Sequence, residues 1–476
     1  MISIRLPSIY LSLNFHLKNI RLIDIYRLIF LAKLQSIKIE NITNQASILQ
    51  IIVYFFSKLT FQQILKVILI IQSRDHSSNK LKELVILLST MSLTIIIILS
   101  LIGLGLTNNQ SFAQQSAQSN IGSCISYESD KENGKNTITV SCSNPTTLTD
   151  IYNSINNPEV LKREDNSNHS TWILDATIVV EKGSTLVINS SDTAWLKILA
   201  GDKNGDGDRD IVNSIRVFGN LIIDSVKITS WDPEKSDFIK FEFEILPDRE
   251  HEHTGIDAVP RPYIKTEDET TGTMNITNSE IAYLGYECGS GCSGISYYGN
   301  NGTSIVKNNE IHHDRFGFYS VGVGGVILED NHVHDNFMYG FDPHTATHDM
   351  VIRNNTVHDH GAMGIICSLN CYNITIEGNE VYNSAGSGIM FSRNMSDSVA
   401  RNNDVHDEEK CIFLSQSSNN EVYNNTASNC ESQGIYIYHN SVENKVYNNT
   451  LINATEGIEE SDDSLGSNTI SNNKIE

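Results

Sequence analysis

The sequence predicts an all-β chain folded as a right-handed parallel β-helix with turns of about 23 residues, and three observations carry this prediction. A glycine or cysteine followed by an apolar residue recurs every 23 or 24 residues from Gly294 to Gly457. Fourteen residues after most of these positions comes a pair of asparagines or a close variant, such as Asn354-Asn355. Apolar and polar residues alternate in between, and a period of two is typical of strands rather than helices.

Each repeat is expected to form one turn, stacked about 4.8 Å above the previous turn. Asparagine tolerates left-handed backbone and hydrogen-bonds to its own turn, so its recurrence predicts a corner lined by an inward ladder of side chains. Further short apolar strands extend the solenoid upstream to about residue 170. These predicted strands are 176–180, 184–188, 215–217, 221–223 and 226–228.

Composition divides the chain into a leader, an export signal and a folded part. The predicted segments are a hydrophobic basic leader at 1–84, a signal peptide or membrane anchor at 85–113, an irregular segment at 114–170 and the β-helix at 171–476. The leader is either a second membrane segment or a mis-assigned start. The apolar run 85–106 is long enough to cross a bilayer and is followed by small residues, as in secretory signals. We therefore expect a secreted or cell-surface protein that contacts a membrane only through its N-terminal segment. An acidic insertion is expected at 233–270.

The charge of the chain is unevenly distributed. The 476 residues include 34 Lys and Arg and 57 Asp and Glu, a formal net charge of −23. Residues 1–84 hold 11 of the basic and 4 of the acidic residues, which leaves 23 basic and 53 acidic residues beyond residue 113. So acidic a surface repels nucleic acids and other polyanions. An anionic substrate would need a local group of cations.

All eight cysteines lie beyond residue 113, and an even number in the exported part favours disulfides. Joining neighbours in sequence predicts the pairs 124–142, 288–292, 367–371 and 411–430. Zinc binding by Cys288 and Cys292 is the rival interpretation, although no second ligand pair has suitable spacing. The sequons at Asn275, Asn373 and Asn394 agree with an exported glycoprotein.

Stacking converts the repeat into predicted neighbours. Counted from the opening glycine of its turn, Asp342 is at position +2 and His344 at +4, so both side chains should point to one face while Pro343 points away. The same face should carry the tyrosines of a substrate groove: Tyr298, Tyr319, Tyr436 and Tyr438. Arg393, at position +5, joins them if a turn begins there, and Arg315 is a further substrate-binding candidate that the register does not place. A long aromatic groove suits a linear acidic polysaccharide or a surface glycan as the partner.

Residues 339–344, Tyr-Gly-Phe-Asp-Pro-His, resemble the Asp-Pro-His-Asp motif of the calcium-independent mannuronan C5-epimerases, bacterial alginate-modifying β-helix enzymes. Other segments resemble that family in the same order, over roughly residues 175–460. They are 229–232, 261–263, 281–286, 294–297 and 316–320. The resemblance implies a polymer of hexuronates as substrate and no required cofactor.

The resemblance also implies roles for the residues of the motif. The family's base corresponds to His344, which would remove the C5 proton, and Asp342 would orient it or bind sugar. Two positions depart from the family. Thr345 replaces an acid, and Leu369 replaces the arginine that neutralises the substrate carboxylate. Arg393 lies one turn further on, about 10 Å from Thr345. A uronate lyase, a non-catalytic glycan-binding β-helix and a metal-handling exported β-helix are the alternatives.

Two further patterns point to metals. Asp202, Asn204, Asp206 and Asp208 match the first half of a calcium loop, which would make a structural Ca²⁺ site or a solvated acidic turn. Four histidines are predicted to stack after the asparagine corner, with Tyr382 between two of them: His312, His334, His358 and His406. Such a ladder binds copper or zinc, or serves packing alone. Asp314, Asp335, Asp359 and Asp407 lie close enough in sequence to hydrogen-bond these rings instead.

Overall fold

A computed structural model describes residues 124–130, 134–164, 170–201, 211–240, 260–288, 291–299 and 302–476. The predicted leader at 1–84, the signal or anchor at 85–113 and the calcium-loop residues Asp202, Asn204, Asp206 and Asp208 lie outside the described residues. Within the described ranges, no helix is both long and apolar enough to cross a bilayer.

The described residues between 124 and 212 form one helix, α1, and eight strands. These elements are β1 Ile125–Asp130, β2 Lys135–Val140, α1 Leu148–Ile155, β3 Leu161–Arg163, β4 Ser170–Leu174, β5 Thr177–Val180, β6 Thr185–Asn189, β7 Thr193–Gly201 and β8 Ile211–Val212. Helix α1 begins at a capping box in which Thr147 and Asp150 each bond the other's backbone N–H. It buries Leu148 and Ile151. The segment predicted to be irregular therefore holds a hairpin and a helix, which cover the first turns of the core.

The next strands form the middle of the chain. They are β9 Ser214–Val217, β10 Asn220–Asp224, β11 Lys227–Trp231, β12 Tyr263–Thr266, β13 Met274–Thr277, β14 Glu280–Ala282, β15 Gly294–Tyr298, β16 Ile305–Lys307, β17 Glu310–His312, β18 Phe316–Val321, β19 Ile327–Glu329, β20 His332–His334, β21 Tyr339–His344, β22 Val351–Arg353 and β23 Thr356–His358. The upstream strands predicted from the sequence are present, with ends shifted by at most three residues.

The remaining strands complete the C-terminal turns. They are β24 Ile365–Ser368, β25 Thr375–Glu377, β26 Glu380–Tyr382, β27 Ser387–Ser392, β28 Val399–Arg401, β29 Asp404–His406, β30 Lys410–Ser415, β31 Glu421–Tyr423, β32 Thr426–Ser428, β33 Gln433–Tyr438, β34 Lys445–Tyr447, β35 Thr450–Ile452, β36 Glu456–Glu460, β37 Thr469–Ser471 and β38 Lys474–Ile475.

These strands form three long sheets, and each turn of the chain contributes one strand to each sheet. Sheet A has 13 strands in the order β1-β2-β5-β9-β12-β15-β18-β21-β24-β27-β30-β33-β36. Sheet B has 11, in the order β6-β10-β13-β16-β19-β22-β25-β28-β31-β34-β37, and sheet C has 14, from β3 and β4 through β17, β20, β23, β26 and β29 to β38, with β8 at its side. Apart from the pairs β1–β2, β3–β4 and β7–β8, neighbouring strands run parallel. The predicted parallel β-helix is confirmed.

A ladder of buried asparagines holds successive turns together at the corner between sheets B and C. The side-chain amide of Asn379 donates to Oδ1 of Asn403 and to the carbonyl of Ile352, at 3.0 and 2.9 Å. Its own Oδ1 accepts from the backbone and side-chain nitrogens of Asn355, at 3.0 and 2.9 Å. All four hydrogen-bonding positions of this side chain are satisfied, as burial of an amide requires. The predicted inward asparagine ladder is therefore present.

The repeated glycine at the start of each sheet A strand is explained by close packing. A Cβ on Gly364 would lie 2.5 Å from Val381 Cγ1, and one on Gly388 would lie 2.4 Å from Val405 Cγ1. At the one repeat that carries cysteine, the register places Ala427 above Val405 in sheet C. The smaller alanine leaves room for Cys411, which forms a disulfide there.

The cysteine pairing predicted from sequence is correct in three of four cases. Disulfides join Cys124 to Cys142, Cys288 to Cys292 and Cys411 to Cys430. The predicted pair of Cys367 and Cys371 is wrong, since both are buried free thiols. Cys367 points into the core from β24, whereas Cys371 lies in the following turn and donates to the carbonyl of Ser368 at 3.1 Å. Burial raises the pKa of both thiols, which keeps them protonated.

Candidate active site

Sheet A aligns the predicted site residues in columns. Asp342 pairs with Tyr319 of the previous turn, and His344 pairs with Val321 below it and Ser368 above it. Pro343 pairs with Ser320 and is buried, so it faces the core as predicted. A proline has no N–H to donate to a neighbouring strand. Strand β21 accordingly pairs with β24 only through Phe341, opposite Ile365, and His344, opposite Ser368.

His344 ends β21, with its ring half-buried in contact with two polar groups. Its Nδ1 lies 2.7 Å from Thr345 Oγ1, and its Nε2 lies 3.3 Å from Nη2 of Arg393. A guanidinium can only donate, so Nε2 is the acceptor and Nδ1 carries the proton that is donated to Thr345. Burial, assisted by the charge of Arg393, lowers the pKa of His344. The imidazole is thus neutral and presents an unprotonated nitrogen to the cleft.

Arg393 reaches His344 although its backbone lies two turns away. It occupies the left-handed position that follows β27, with φ of 52°. Its Nη2 donates to Ser368 Oγ at 2.9 Å and continues to His344 at 3.3 Å. The expected separation of about 10 Å describes the backbone. It does not describe the guanidinium, which extends back along the stack to His344.

Asp342 is buried beside this pair, with only 2% of its surface exposed. Within the described part of the chain, its Oδ1 has no hydrogen-bond partner. Burial raises the pKa of Asp342 well above its usual value, while the charges of Arg393 and Arg315 oppose the rise. Burial thus favours the protonated form of this carboxyl group. In the structure His344 Nδ1 contacts Thr345 rather than Asp342.

These groups line a cleft of about 250 Å³ on the outer face of sheet A. Tyr319, Arg315 and the loop closed by the Cys288–Cys292 disulfide form its walls, with Arg315 paired to Glu287. Burial raises the pKa of Tyr319, chiefly by desolvation. The cleft therefore combines Arg393, the Arg315–Glu287 ion pair and tyrosine hydroxyls inside a chain that is strongly acidic overall.

The structure brings together only some of the predicted substrate-binding residues. His344, Asp342, Arg393, Arg315 and Tyr319 all line the cleft. Tyr298 supports Tyr319 from the turn below, with 6.2 Å between ring centroids. Tyr436 and Tyr438 lie on β33, two strands beyond the strand of Arg393, and pack against Phe413 outside the cleft.

Sequence reasoning missed three contributors to the cleft. Tyr339 lines it from the first position of β21, and burial raises the pKa of its hydroxyl. Ser368 holds the guanidinium of Arg393, and the repeat register does place it directly above His344. Cys288, Gly291 and Cys292 line the cleft beside their disulfide, and no repeat pattern signals that arrangement.

The predicted histidine ladder is present on sheet C. The rings of His334 and His358 are stacked with centroids 5.3 Å apart, and Tyr382 lies between His358 and His406 at 4.6 and 4.9 Å. Three of the four predicted aspartates do bond these rings: Asp335, Asp359 and Asp407. The fourth, Asp314, is buried inside the corner and accepts from the backbone of Leu284.

The described chain is thus a parallel β-helix with a polar, cationic cleft on one sheet. No curated protein is significantly similar to it in sequence. A family model described as "Periplasmic copper-binding protein (NosD)" matches residues 270–476, which is less than half of the chain.

Two solved structures show what the fold resembles. The periplasmic alginate epimerase AlgG has a TM-score of 0.60 and 19% sequence identity, over 72% of this chain and 86% of that one. The A-module of the mannuronan C-5 epimerase AlgE4 of Azotobacter vinelandii has a TM-score of 0.44 and 15% identity, over 64% of this chain and 85% of that one. The likeness to AlgG, at 19% identity, shows a common fold and nothing finer.

Proposed function

We propose that the protein is an exported enzyme that modifies an acidic polysaccharide by removing the C5 proton of a uronate residue, with His344 as the base. The observation that carries the proposal is the contact of 3.3 Å between His344 Nε2 and the guanidinium of Arg393 in an open cleft. A neutral imidazole is a suitable base near neutral pH. A uronate carboxylate bound to Arg393 would bring its neighbouring C5 atom towards that nitrogen.

The two arginines of the cleft supply what this chemistry requires. The C5 proton becomes acidic only when the adjacent carboxylate is neutralised, because the carbanion is stabilised by spreading its charge onto the carboxylate oxygens. Arg393 and Arg315 would hold this negative charge. They also provide the local cationic exception that an acidic polymer needs in order to approach a chain with a net charge of −23.

Return of a proton from the other face of the sugar completes an epimerisation. Tyr319 and Tyr339 line the same cleft, and burial raises the pKa of both hydroxyls, so both carry a proton at neutral pH. Either hydroxyl is a chemically competent donor, and Asp342 lies beside them with a raised pKa. If the bond to the leaving sugar breaks before a proton returns, the reaction is a lyase reaction, and both outcomes share the first step.

The name of one solved structure of similar fold supports this proposal. AlgG is called a periplasmic alginate epimerase, and its fold resembles the described chain over most of its length. The three disulfides support the exported location, because such bonds form in oxidising compartments. The metal-handling alternative concerns sheet C, a different face of the solenoid.

The proposal is tested by proton exchange in heavy water. We expect the protein to exchange the C5 hydrogen of mannuronan or a related uronate polymer for deuterium, as measured by NMR. His344→Gln should reduce the exchange rate by at least about 100-fold, the lower range of general-base catalysis. The matched control is His348→Gln. His348 follows the same strand and is bonded to Asp349, but it does not line the cleft, so exchange should be unchanged.

The alternatives give different results in the same experiment. A lyase would release products with an unsaturated uronate that absorbs ultraviolet light, and that absorption should also be lost with His344→Gln. A glycan-binding protein without activity would bind the polymer equally well with either histidine replaced and would exchange no deuterium. Absence of exchange with every uronate polymer would overturn the proposed enzyme.

A further inference from the structure

A second cluster of chemically active side chains lies on sheet C, on strands that do not line the cleft. The stacked rings of the histidine ladder face one another, so their nitrogen atoms point sideways from the stack rather than at each other. In most turns the stacking serves packing alone, because the residue two positions before the ladder residue in its strand is not a histidine. The residues in that column around β20 are Glu310, His332, Thr356, Glu380 and Asp404.

The turn that contains β20 departs from this pattern. It carries His332 as well as His334, and the residue below His332 is Glu310. Ligand atoms of these three side chains all lie within 4.8 Å of one another. From the turn above, His358 Nε2 approaches His332 Nε2 to 2.7 Å. Two imidazoles and one carboxylate from two consecutive turns therefore converge at one place, and His358 borders them from the turn above.

Two aspartates fix the protonation of this group. Asp335 accepts a hydrogen bond from His334 Nδ1 at 2.7 Å, and Asp359 accepts one from His358 Nδ1 at 2.6 Å. In each ring the proton is held on Nδ1, and Nε2 keeps its lone pair. An aspartate on the distal nitrogen is the outer-shell arrangement that orients histidine ligands of metals.

One atom of the cluster is left without a hydrogen bond. His334 Nε2 is buried and has no hydrogen-bond partner among the described residues. The nearest acidic oxygen is Glu310 Oε1, at 3.5 Å. A buried lone pair without a donor is unfavourable, and a cation bound between these two atoms would satisfy both.

We propose that Glu310, His332 and His334 bind one divalent transition-metal ion of the zinc or copper(II) type, through a carboxylate oxygen and two Nε2 atoms. Imidazole and carboxylate ligands suit these ions. Tetrahedral bonds of about 2.0–2.1 Å place ligand atoms roughly 3.3 Å apart, so rotation of the exposed Glu310 and His332 side chains would close the group around His334, which is held by Asp335. Binding shifts the His332 proton from Nε2 to Nδ1, releases the contact with His358 and joins strands β17 and β20.

The test is a titration of the full chain with ZnCl₂ after removal of metals by a chelator. We expect one saturable site per chain by calorimetry, and a rise in the temperature of unfolding when the site is filled. His332→Gln should weaken zinc binding at least tenfold. Because His332 is exposed, its replacement should leave the unfolding temperature of the metal-free protein unchanged, which separates lost binding from lost folding.

The ladder supplies a matched control. His406 is stacked in the same column and bonded to Asp407, but the first residue of its strand is Asp404 rather than a histidine. His406→Gln should leave zinc affinity unchanged. Three results would each overturn the site: no saturable binding by the unmodified chain, full affinity in His332→Gln, or an equal loss in His406→Gln. With Cu²⁺ as the probe, nitrogen hyperfine splitting in the electron paramagnetic resonance spectrum should be lost in His332→Gln.

Discussion

The asparagine ladder should dominate the stability of the central turns, and replacing Asn379 by alanine measures its contribution. The substitution removes four hydrogen bonds from a buried side chain: two that it donates, to Asn403 and Ile352, and two that it accepts from Asn355. At about 1 kcal/mol for each net hydrogen bond, the loss is about 4 kcal/mol. The backbone N–H of Asn355 then loses its acceptor. Unless water takes the place of that oxygen, this adds about 1–3 kcal/mol to the loss of unfolding free energy.

The assay is urea unfolding followed by circular dichroism, with amide hydrogen exchange to locate the opening. Because each turn contacts only its neighbours, the loss should be concentrated in the turns on either side of β25. The control is Asn402→Ala. Asn402 is exposed, with φ of 56° and one weak contact of 3.4 Å to Glu377, so its replacement removes mainly the left-handed preference, about 1 kcal/mol. Equal losses of stability in the two variants would refute the argument.

Three further predictions concern charge and packing. Burial raises the pKa of Glu408 to about 9, well above its value in an unfolded chain, so the folded state keeps a proton that the unfolded state loses. The stability of the protein should therefore fall as pH rises from about 4.5 to 9. Glu408→Gln should remove this dependence and raise the free energy of unfolding at pH 7 by roughly 2–3 kcal/mol. Thermal unfolding at several pH values measures both effects. Arg393→Gln should raise the pKa of His344, because a nearby positive charge is lost. NMR titration of the His344 ring measures this pKa independently of activity. An unchanged or lower pKa would contradict the contact between Arg393 and His344. Gly364→Ala should destabilise the protein by about 1–3 kcal/mol through its clash with Val381, and addition of Val381→Ala should recover part of that loss, as alanine does beside Cys411.

The sequence predicts the parallel β-helix and its register well, since both depend on local rules that repeat. Asparagine at a buried corner and glycine against a facing aliphatic side chain recur in most turns, so their spacing encodes which residues stack. The positions of Asp342 and His344 follow directly from that spacing and agree with the observed strand pairing.

The features that the sequence could not predict depend on side-chain direction or on departures from the repeat. A register fixes where the backbone of Arg393 lies, but its guanidinium can extend along the stack in either direction, and only the structure shows it beside His344. Separation in sequence favours a bond between Cys367 and Cys371, whereas one points into the core and the other lies in a turn. The loop over the cleft and the N-terminal hairpin and helix occur once each, so no periodicity signals them.

The regular stacking on sheet A has a practical consequence for protein engineering. The length of sheet A can be changed without changing the cleft. The polar groups of the cleft lie on a few consecutive strands, while the rest of the sheet continues in the same register. Duplicating one complete turn beyond β30 would lengthen the outer surface by about 4.8 Å without displacing any residue around His344. A series of such insertions would form a molecular ruler, in which the length of the outer surface of sheet A is set by the number of turns.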